Sequence, residues 1–308
     1  MSASRPCAAP ALTVRRLHID LSGGFSRRWN GGDAFTTAYF NALSMSFPVG
    51  EQFFIDSVRD AAALLGDSPQ DAALRATVQD FIGQEATHRH LHAQFNAELA
   101  RQGLDNAWER RLQAEIARRR AAHAHWPALQ HARSALAVTA AMEHYTALLG
   151  TLLLARVDQP GDWLRHADEP LRTLWRWHAA EESEHRAVAF DLYQRLGGGY
   201  AQRLRWFGYA TRLFLGGSAR QTLANLRRDG ALASRRTWAS ALRFFFGRHG
   251  VVWRIGGPLL AYLRPGFHPA RSGGDAAATA WLRDHAAQWQ AVPRPPAAHA
   301  PGKARPSA

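Results

Sequence analysis

Apolar residues recur along most of the chain at intervals of three and four, the period of one face of a helix rather than of a strand. Turn signals cut the periodic stretches into pieces. A short helix is predicted from Asp33 towards Leu43, and a second from near Ser46, with Pro48 in its first turn, to about Leu65. Ser68 and Pro69 then supply an N-cap and a proline at the first helical position, with Asp71 where a capping box needs its acid. That helix is predicted to end at about Arg101, before Gly103. Further helices are predicted from about Asn106 to His123, from Pro127 to just before Asp158-Gln159-Pro160, and from Pro170 to Gly197-Gly198-Gly199. No period-two stretch of useful length and no internal repeat occurs. The expected class is all-α: a four-helix bundle over residues 31–199 and amphipathic helices over 200–291 packed on it.

The apolar stripes are interrupted in a repeated way. In the helix from Pro69, residues Leu74, Val78, Phe81, Glu85, His88, His92, Phe95 and Leu99 share one face, so its middle carries a carboxylate and two imidazoles. In the helix from Pro170, residues His178, Glu182, His185, Ala189 and Leu192 align. Leu136, Ala140, Glu143, Ala147 and Gly150 align in the helix from Pro127, and Phe47, Glu51, Phe54 or Ile55, and Val58 in the one after Ser46. An ionised glutamate in a core stripe is costly unless something offsets its desolvation. Four helices each carry one, and two of them add a histidine three residues on, in Glu85-Ala86-Thr87-His88 and Glu182-Ser183-Glu184-His185.

A dinuclear metal centre accounts for this. Residues at i and i+3 project from one face about a turn apart, so each Glu-x-x-His pair can reach one ion, and the lone glutamates can bridge or cap. Four carboxylates balance two divalent cations. With 15 histidines in 308 residues, chance supplies about half an occurrence of Glu-x-x-His. Two occurrences, each preceded by a helix with a lone core glutamate, are more specific. Carboxylate-rich sites with a few imidazoles suit iron, or manganese, more than zinc.

The order Glu51, Glu85-x-x-His88, Glu143, Glu182-x-x-His185 resembles the ferritin-like di-iron superfamily. The strings Phe-Pro-Val-Gly-Glu-Gln-Phe-Phe (47–54), Phe-Ile-Gly-Gln-Glu-Ala-Thr-His (81–88), Ala-Met-Glu-His-Tyr-Thr-Ala (141–147), Trp-His-Ala-Ala-Glu-Glu-Ser-Glu-His (177–185) and Pro-Gly-Phe-His-Pro (265–269) look like a bacterial family described as predicted metal-dependent hydrolases, over about residues 30–290. The resemblance implies a ferritin-like four-helix bundle with additional C-terminal helices, and metal ligands Glu51, Glu85, His88, Glu143, Glu182 and His185. His178 gives His-x3-Glu-x2-His, similar to the seven-ligand centre of di-iron arylamine N-oxygenases, which implies a further ligand. The alternative is a core histidine bonded to a backbone carbonyl.

Outer roles are expected for three more residues. Gln84 lies four before His88 and Glu181 four before His185, so each can accept from the other ring N–H of a ligating histidine. His92 is a ligand or lies just behind one. His144 points about 100° from Glu143, which disfavours a ligand role.

Charge changes the picture in one segment. The formal net charge is +13, and the only lysine is Lys303. Between Ala201 and Arg271 there are thirteen arginines and one acid, Asp229. Two functional readings are an amphipathic surface for anionic lipid and a basic cover over a channel for an acidic substrate. Nucleic acid ranks below both, because no recognised reading motif accompanies the charge. The plain alternative is a set of helices with solvated arginine faces. Cys7 is the only cysteine, which excludes an internal disulfide and fits the cytoplasm, with peripheral contact at the inner membrane face. No stretch of about 18 apolar residues is found. Residues 1–30 are expected as a disordered leader and 292–308 as a disordered tail.

Three functions follow as expectations. The first is an oxidoreductase in which two ferrous ions reduce O2 and oxidise a small organic substrate, with an external electron donor because no flavin or iron–sulfur motif is present. The second is a metal-dependent hydrolase, and the third a ferroxidase or metal-storage protein. Substrate and oligomeric state are not expressed in the sequence.

Overall fold

The computed structural model describes residues 12–293, and the fold is all-α. Its helices are α1 (Ala34–Ala62), α2 (Pro69–Arg101), α3 (Ala107–Ala122), α4 (Ala128–Leu154), α5 (Glu169–His185), α6 (Val188–Arg195), α7 (Tyr200–Arg228), α8 (Arg235–Phe246), α9 (Val251–Ala261) and α10 (Asp275–Asp284). Two short strands, β1 (Arg15–Leu17) and β2 (Trp289–Ala291), pair antiparallel with Arg15 opposite Ala291. Helices α1, α2, α4 and α5 pack around one core, with α6 behind them. Helix α7 lies against α1 and α4, α8 rests on α1, α9 on α4, and α10 on α5.

The helix starts follow the predicted signals. Ser68 caps α2, accepting from the Asp71 amide at 3.1 Å. Asn106 caps α3 in the same way. Gly150 marks the close approach of α4 to α5, since a Cβ there would lie 2.6 Å from the Ala179 carbonyl oxygen.

Three expectations are corrected. The two helices predicted on either side of Ser46 are one, α1, running through Pro48. Proline has no N–H to give to the carbonyl four residues back, and that carbonyl, on Ser44, instead accepts from the Asn96 side-chain amide at 2.9 Å. The helix predicted from Pro170 to the glycines breaks after His185, where Arg186 turns back and donates to the Ser183 carbonyl and to Pro269 O, both at 3.0 Å. The expected disordered leader is ordered from residue 12. Leu17, Leu21 and Trp29 are buried, and the Trp29 indole donates to Asn41 at 2.8 Å. The rest of that leader, residues 1–11, and residues 294–308 of the expected tail lie outside the described residues.

One helix, α4, is long and apolar enough to cross a membrane by length and composition, but 72% of its apolar window is buried inside the bundle. It carries Glu143 and His144 in that buried stretch, as a core helix does.

Candidate metal centre

The six residues predicted as ligands meet in the middle of the bundle. Glu51 comes from α1, Glu85 and His88 from α2, Glu143 from α4, and Glu182 and His185 from α5. All are at most 3% exposed, as is His178 on α5. One ligand atom each from Glu85, His88, Glu182 and His185 lies within 4.8 Å of the others, and the same holds for Glu51, His92 and His178. Glu182 Oε1 stands between the two groups, 3.6 Å from His88 Nδ1, 2.8 Å from His178 Nε2 and 3.8 Å from His185 Nε2. Glu143 Oε2 lies 2.9 Å from His185 Nδ1, and Glu85 Oε1 lies 3.3 Å from His185 Nε2.

Eight buried polar atoms of this cluster have no hydrogen-bond partner among the described residues: both carboxylate oxygens of Glu51 and of Glu85, Glu143 Oε1, Glu182 Oε2, His88 Nδ1 and His185 Nε2. Buried polar groups are normally satisfied. Carboxylate oxygens and lone-pair imidazole nitrogens converging without donors are what cations satisfy, so the residues present fit a pair of metal ions.

Without cations the charges conflict. Burial pushes the Glu51 and Glu85 carboxyls well above the usual carboxylate range, and the neighbouring Glu182 charge adds to it. Burial takes Glu143 up to about 7, opposed by His185. Burial alone would lower His185, but Glu143 and Glu182 bring it up to about 9. Glu182 is kept below its usual range, against its own burial, by His185 and His178. Burial and the surrounding imidazoles hold His88 well down, as neutral ligands require.

Two hydrogen-bond chains lie behind the cluster and leave one nitrogen of each ring they reach facing inward. In the first, Asn96 turns its amide nitrogen to the Ser44 carbonyl, so its oxygen accepts from Ser44 Oγ at 2.8 Å. With its proton committed there, Ser44 Oγ accepts from His92 Nδ1 at 2.9 Å. His92 Nε2 is therefore the lone pair that accepts from His178 Nδ1 at 2.7 Å. His178 Nε2 is the ring nitrogen that faces the carboxylates, hydrogen-bonded to Glu182 Oε1 at 2.8 Å and 3.8 Å from Glu51 Oε1. This chain sets His92 behind His178, whose Nε2 faces the carboxylates.

In the second chain, His88 Nε2 donates to Glu181 Oε2 at 2.9 Å, leaving Nδ1 towards the centre. Glu181 Oε1 accepts from Arg15 at 3.0 Å, and Arg15 also forks onto Glu184 at 2.7 and 2.9 Å. Burial raises Glu181 to about 8, opposed by Arg15. The expected partners along one helix are thus corrected. Glu181 serves His88 on the facing helix rather than His185, and Gln84 donates to Thr13 O and Glu184 rather than accepting from His88. Sequence reasoning missed Arg15, Ser44 and Asn96. The spacing of Ser44 four before Pro48, and of Asn96 four after His92, was the available signal. His144 points away, its Nε2 3.2 Å from Pro258 O.

A cavity of about 150 Å³ reaches the cluster from one side. Phe47, Phe54, Leu112, Val138, Met142 and Phe214 are among its walls. Glu51, His178 and Glu182 stand at its inner end, and Arg119, Arg120 and His123 also line it. A smaller apolar cavity, with Leu149, Trp163, Trp175 and Phe244 in its walls, also reaches His178 and Glu182.

Fold and site together define an all-α helical bundle whose core could hold metal ions between buried glutamates and histidines. Residues 13–273 match the family described as predicted metal-dependent hydrolase, and the chain belongs to that family. No curated protein and no solved structure matches it.

Proposed function

We propose that the protein is a dinuclear metal-dependent hydrolase that cleaves an ester or phosphoester bond in a substrate with a long apolar portion. The observation that carries this reading is the apolar-walled cavity ending at Glu51, His178 and Glu182, in a chain of the metal-dependent hydrolase family. Two divalent ions, when bound, supply Lewis acidity at the scissile group and lower the pKa of water. The chain's own residues do the rest. Phe47 and Phe54 exclude water from the substrate's apolar portion. Glu51, neither of whose carboxylate oxygens has a hydrogen-bond partner among the described residues, stands where a nucleophile's proton can be accepted. His92 keeps the His178 ring in its orientation, and Glu181 does the same for His88.

A second reading is O2-dependent oxidation at a ferritin-like di-iron centre with an external electron donor. Its specific support is the donor set, four carboxylates with three imidazoles, which suits iron or manganese.

One preparation tests both. Metal content is measured on protein purified without added metal, absorbance is followed as O2 reaches the reduced protein, and nitrophenyl esters of increasing acyl length are offered. Hydrolysis expects about two ions per chain, ester cleavage that rises with acyl length, and an absorbance indifferent to O2. An O2-dependent visible band without ester cleavage moves the assignment to oxidation. Protein that binds no metal sinks both readings.

A further inference from the structure

Helices α8 and α9 are assembled against the usual rule. Helix α8 buries Thr237, Ser240, Ala241 and Phe244 and turns Trp238, Leu242 and Phe246 to solvent, with Leu242 62% and Phe246 55% exposed. Helix α9 reads Val-Val-Trp-Arg-Ile-Gly-Gly-Pro-Leu-Leu-Ala, and only Val251 in it is fully buried. Trp253 is 66% and Leu260 62% exposed, with Leu263 beyond the helix at 40%. The two apolar stripes meet where the Trp253 indole donates to the Phe246 carbonyl at 3.0 Å. The surface is held to the bundle from behind, by the contact between His144 on α4 and Pro258 O and by the burial of Tyr262.

Scattered exposed apolar residues are ordinary, but a contiguous patch marks a partner. Charge selects the partner. From Gly230 to Gly274 the chain carries seven arginines and no acidic residue. Arg235, Arg236, Arg243, Arg248 and Arg264 are exposed. A second copy of this chain would set arginines against arginines. An anionic bilayer accepts both parts of the surface, with Trp and Leu at the acyl boundary and arginines at the headgroups.

We propose that α8 and α9 form a docking surface for an anionic lipid bilayer. Phe244, on the buried side of α8, lines the smaller apolar cavity that reaches His178 and Glu182. The proposal stands on the surface alone and does not depend on which reaction the centre performs.

The test is sedimentation of the full metal-loaded chain with sucrose-filled vesicles of phosphatidylcholine alone or mixed with phosphatidylglycerol, at low and high salt. Binding is expected only to the mixed vesicles and should weaken with salt. Each arginine removed in Arg235→Gln, Arg236→Gln or Arg243→Gln should weaken it about fivefold. The double variant Trp253→Ser/Leu260→Ser should weaken it by about tenfold or more. Melting curves matching the parent's show that the variants are folded. Failure to bind the mixed vesicles overturns the proposal, as does equal binding by parent and double variant. It is also overturned by a parent dimer that Leu260→Ser dissociates, or by capture of an acidic protein without vesicle binding.

Discussion

In the bundle, α2 and α5 turn Glu85, His88, Glu182 and His185 inward until at most 3% of any of them is exposed. On the flank, α8 and α9 turn Trp238, Leu242, Trp253 and Leu260 outward. Each region inverts the usual partition, and in opposite senses. The interior holds polar atoms with no hydrogen-bond partner among the described residues, so what they call for is positive charge. The flank holds apolar area left uncovered among the described residues, so what it calls for is apolar, with negative charge beside it for the arginines. The two inversions differ in what supports them. The buried groups are fixed by hydrogen-bond chains two and three residues deep, whereas the exposed ones are backed by few contacts.

The interior inversion predicts the largest effect. Chelating the metal should cost about 4 kcal/mol and lower the melting temperature by roughly 10 °C, read by scanning calorimetry with and without chelator. Glu85→Gln should reverse sign between the two conditions. It loses metal affinity in the loaded protein, and it relieves like-charge crowding in the stripped one, whose melting point should rise. If the stripped protein melts lower as well, Glu85 is not held there against repulsion.

A second effect is the pH dependence of the stripped protein. Glu143 at about 7, Glu181 at about 8 and His185 at about 9 all lie above their unfolded values. The folded state therefore binds more protons, and stability falls as pH rises from 6.5 to 9. The neutral state of His88 and His92 acts the other way, but only below their unfolded value near 6.5. Urea unfolding of stripped protein should lose on the order of 3 kcal/mol across that window. Bound metal should flatten the slope, because ligands must be deprotonated to bind it. A flat profile in stripped protein would contradict the buried charge pattern.

Next comes the support behind the ligands. Arg15→Ala removes the cation that faces Glu181 and should weaken metal binding about 10–100-fold, as outer partners of ligating histidines do. Competition with a chromogenic chelator measures this, and an unchanged affinity would make Arg15 a fold residue only. The smallest effect belongs to the flank. Trp253→Ser should shift unfolding free energy by no more than about 0.5 kcal/mol, and a larger loss in urea unfolding would show that Trp253 packs on the protein and not on a partner.

Much of the interior could be read in advance because its signal is local. A glutamate in an apolar stripe, repeated on four helices, needs only the 3.6-residue period to be seen, and all six residues predicted as ligands do converge. What failed was non-local. Glu181 and His88 are 93 residues apart and Arg15 and Glu181 are 166 apart, and no helical spacing links them. Pro48 reads as a first-turn proline because the Asn96 amide that replaces its missing donor lies on another helix. The break after His185 depends on Arg186 reaching Pro269, which again lies outside any window. The Arg and aromatic texture of 201–271 was visible, but which side of α8 and α9 faces water was not.

The pairing of β1 with β2 bears on the order of events during synthesis. Arg15 is among the first residues of the fold to leave the ribosome, yet the strand that carries it finds its partner only at Trp289–Ala291. Its guanidinium also lies 4.8 Å from the Trp289 ring, and Val14 beside it fits only because Gly83 has no side chain. The hydrogen-bond chain through Glu181 to His88 thus gains the support of β2 only after the four helices that carry the buried glutamates have been made. Under the metal-dependent reading proposed above, an ion held through His88 would have its full support only once residues 289–291 have been made.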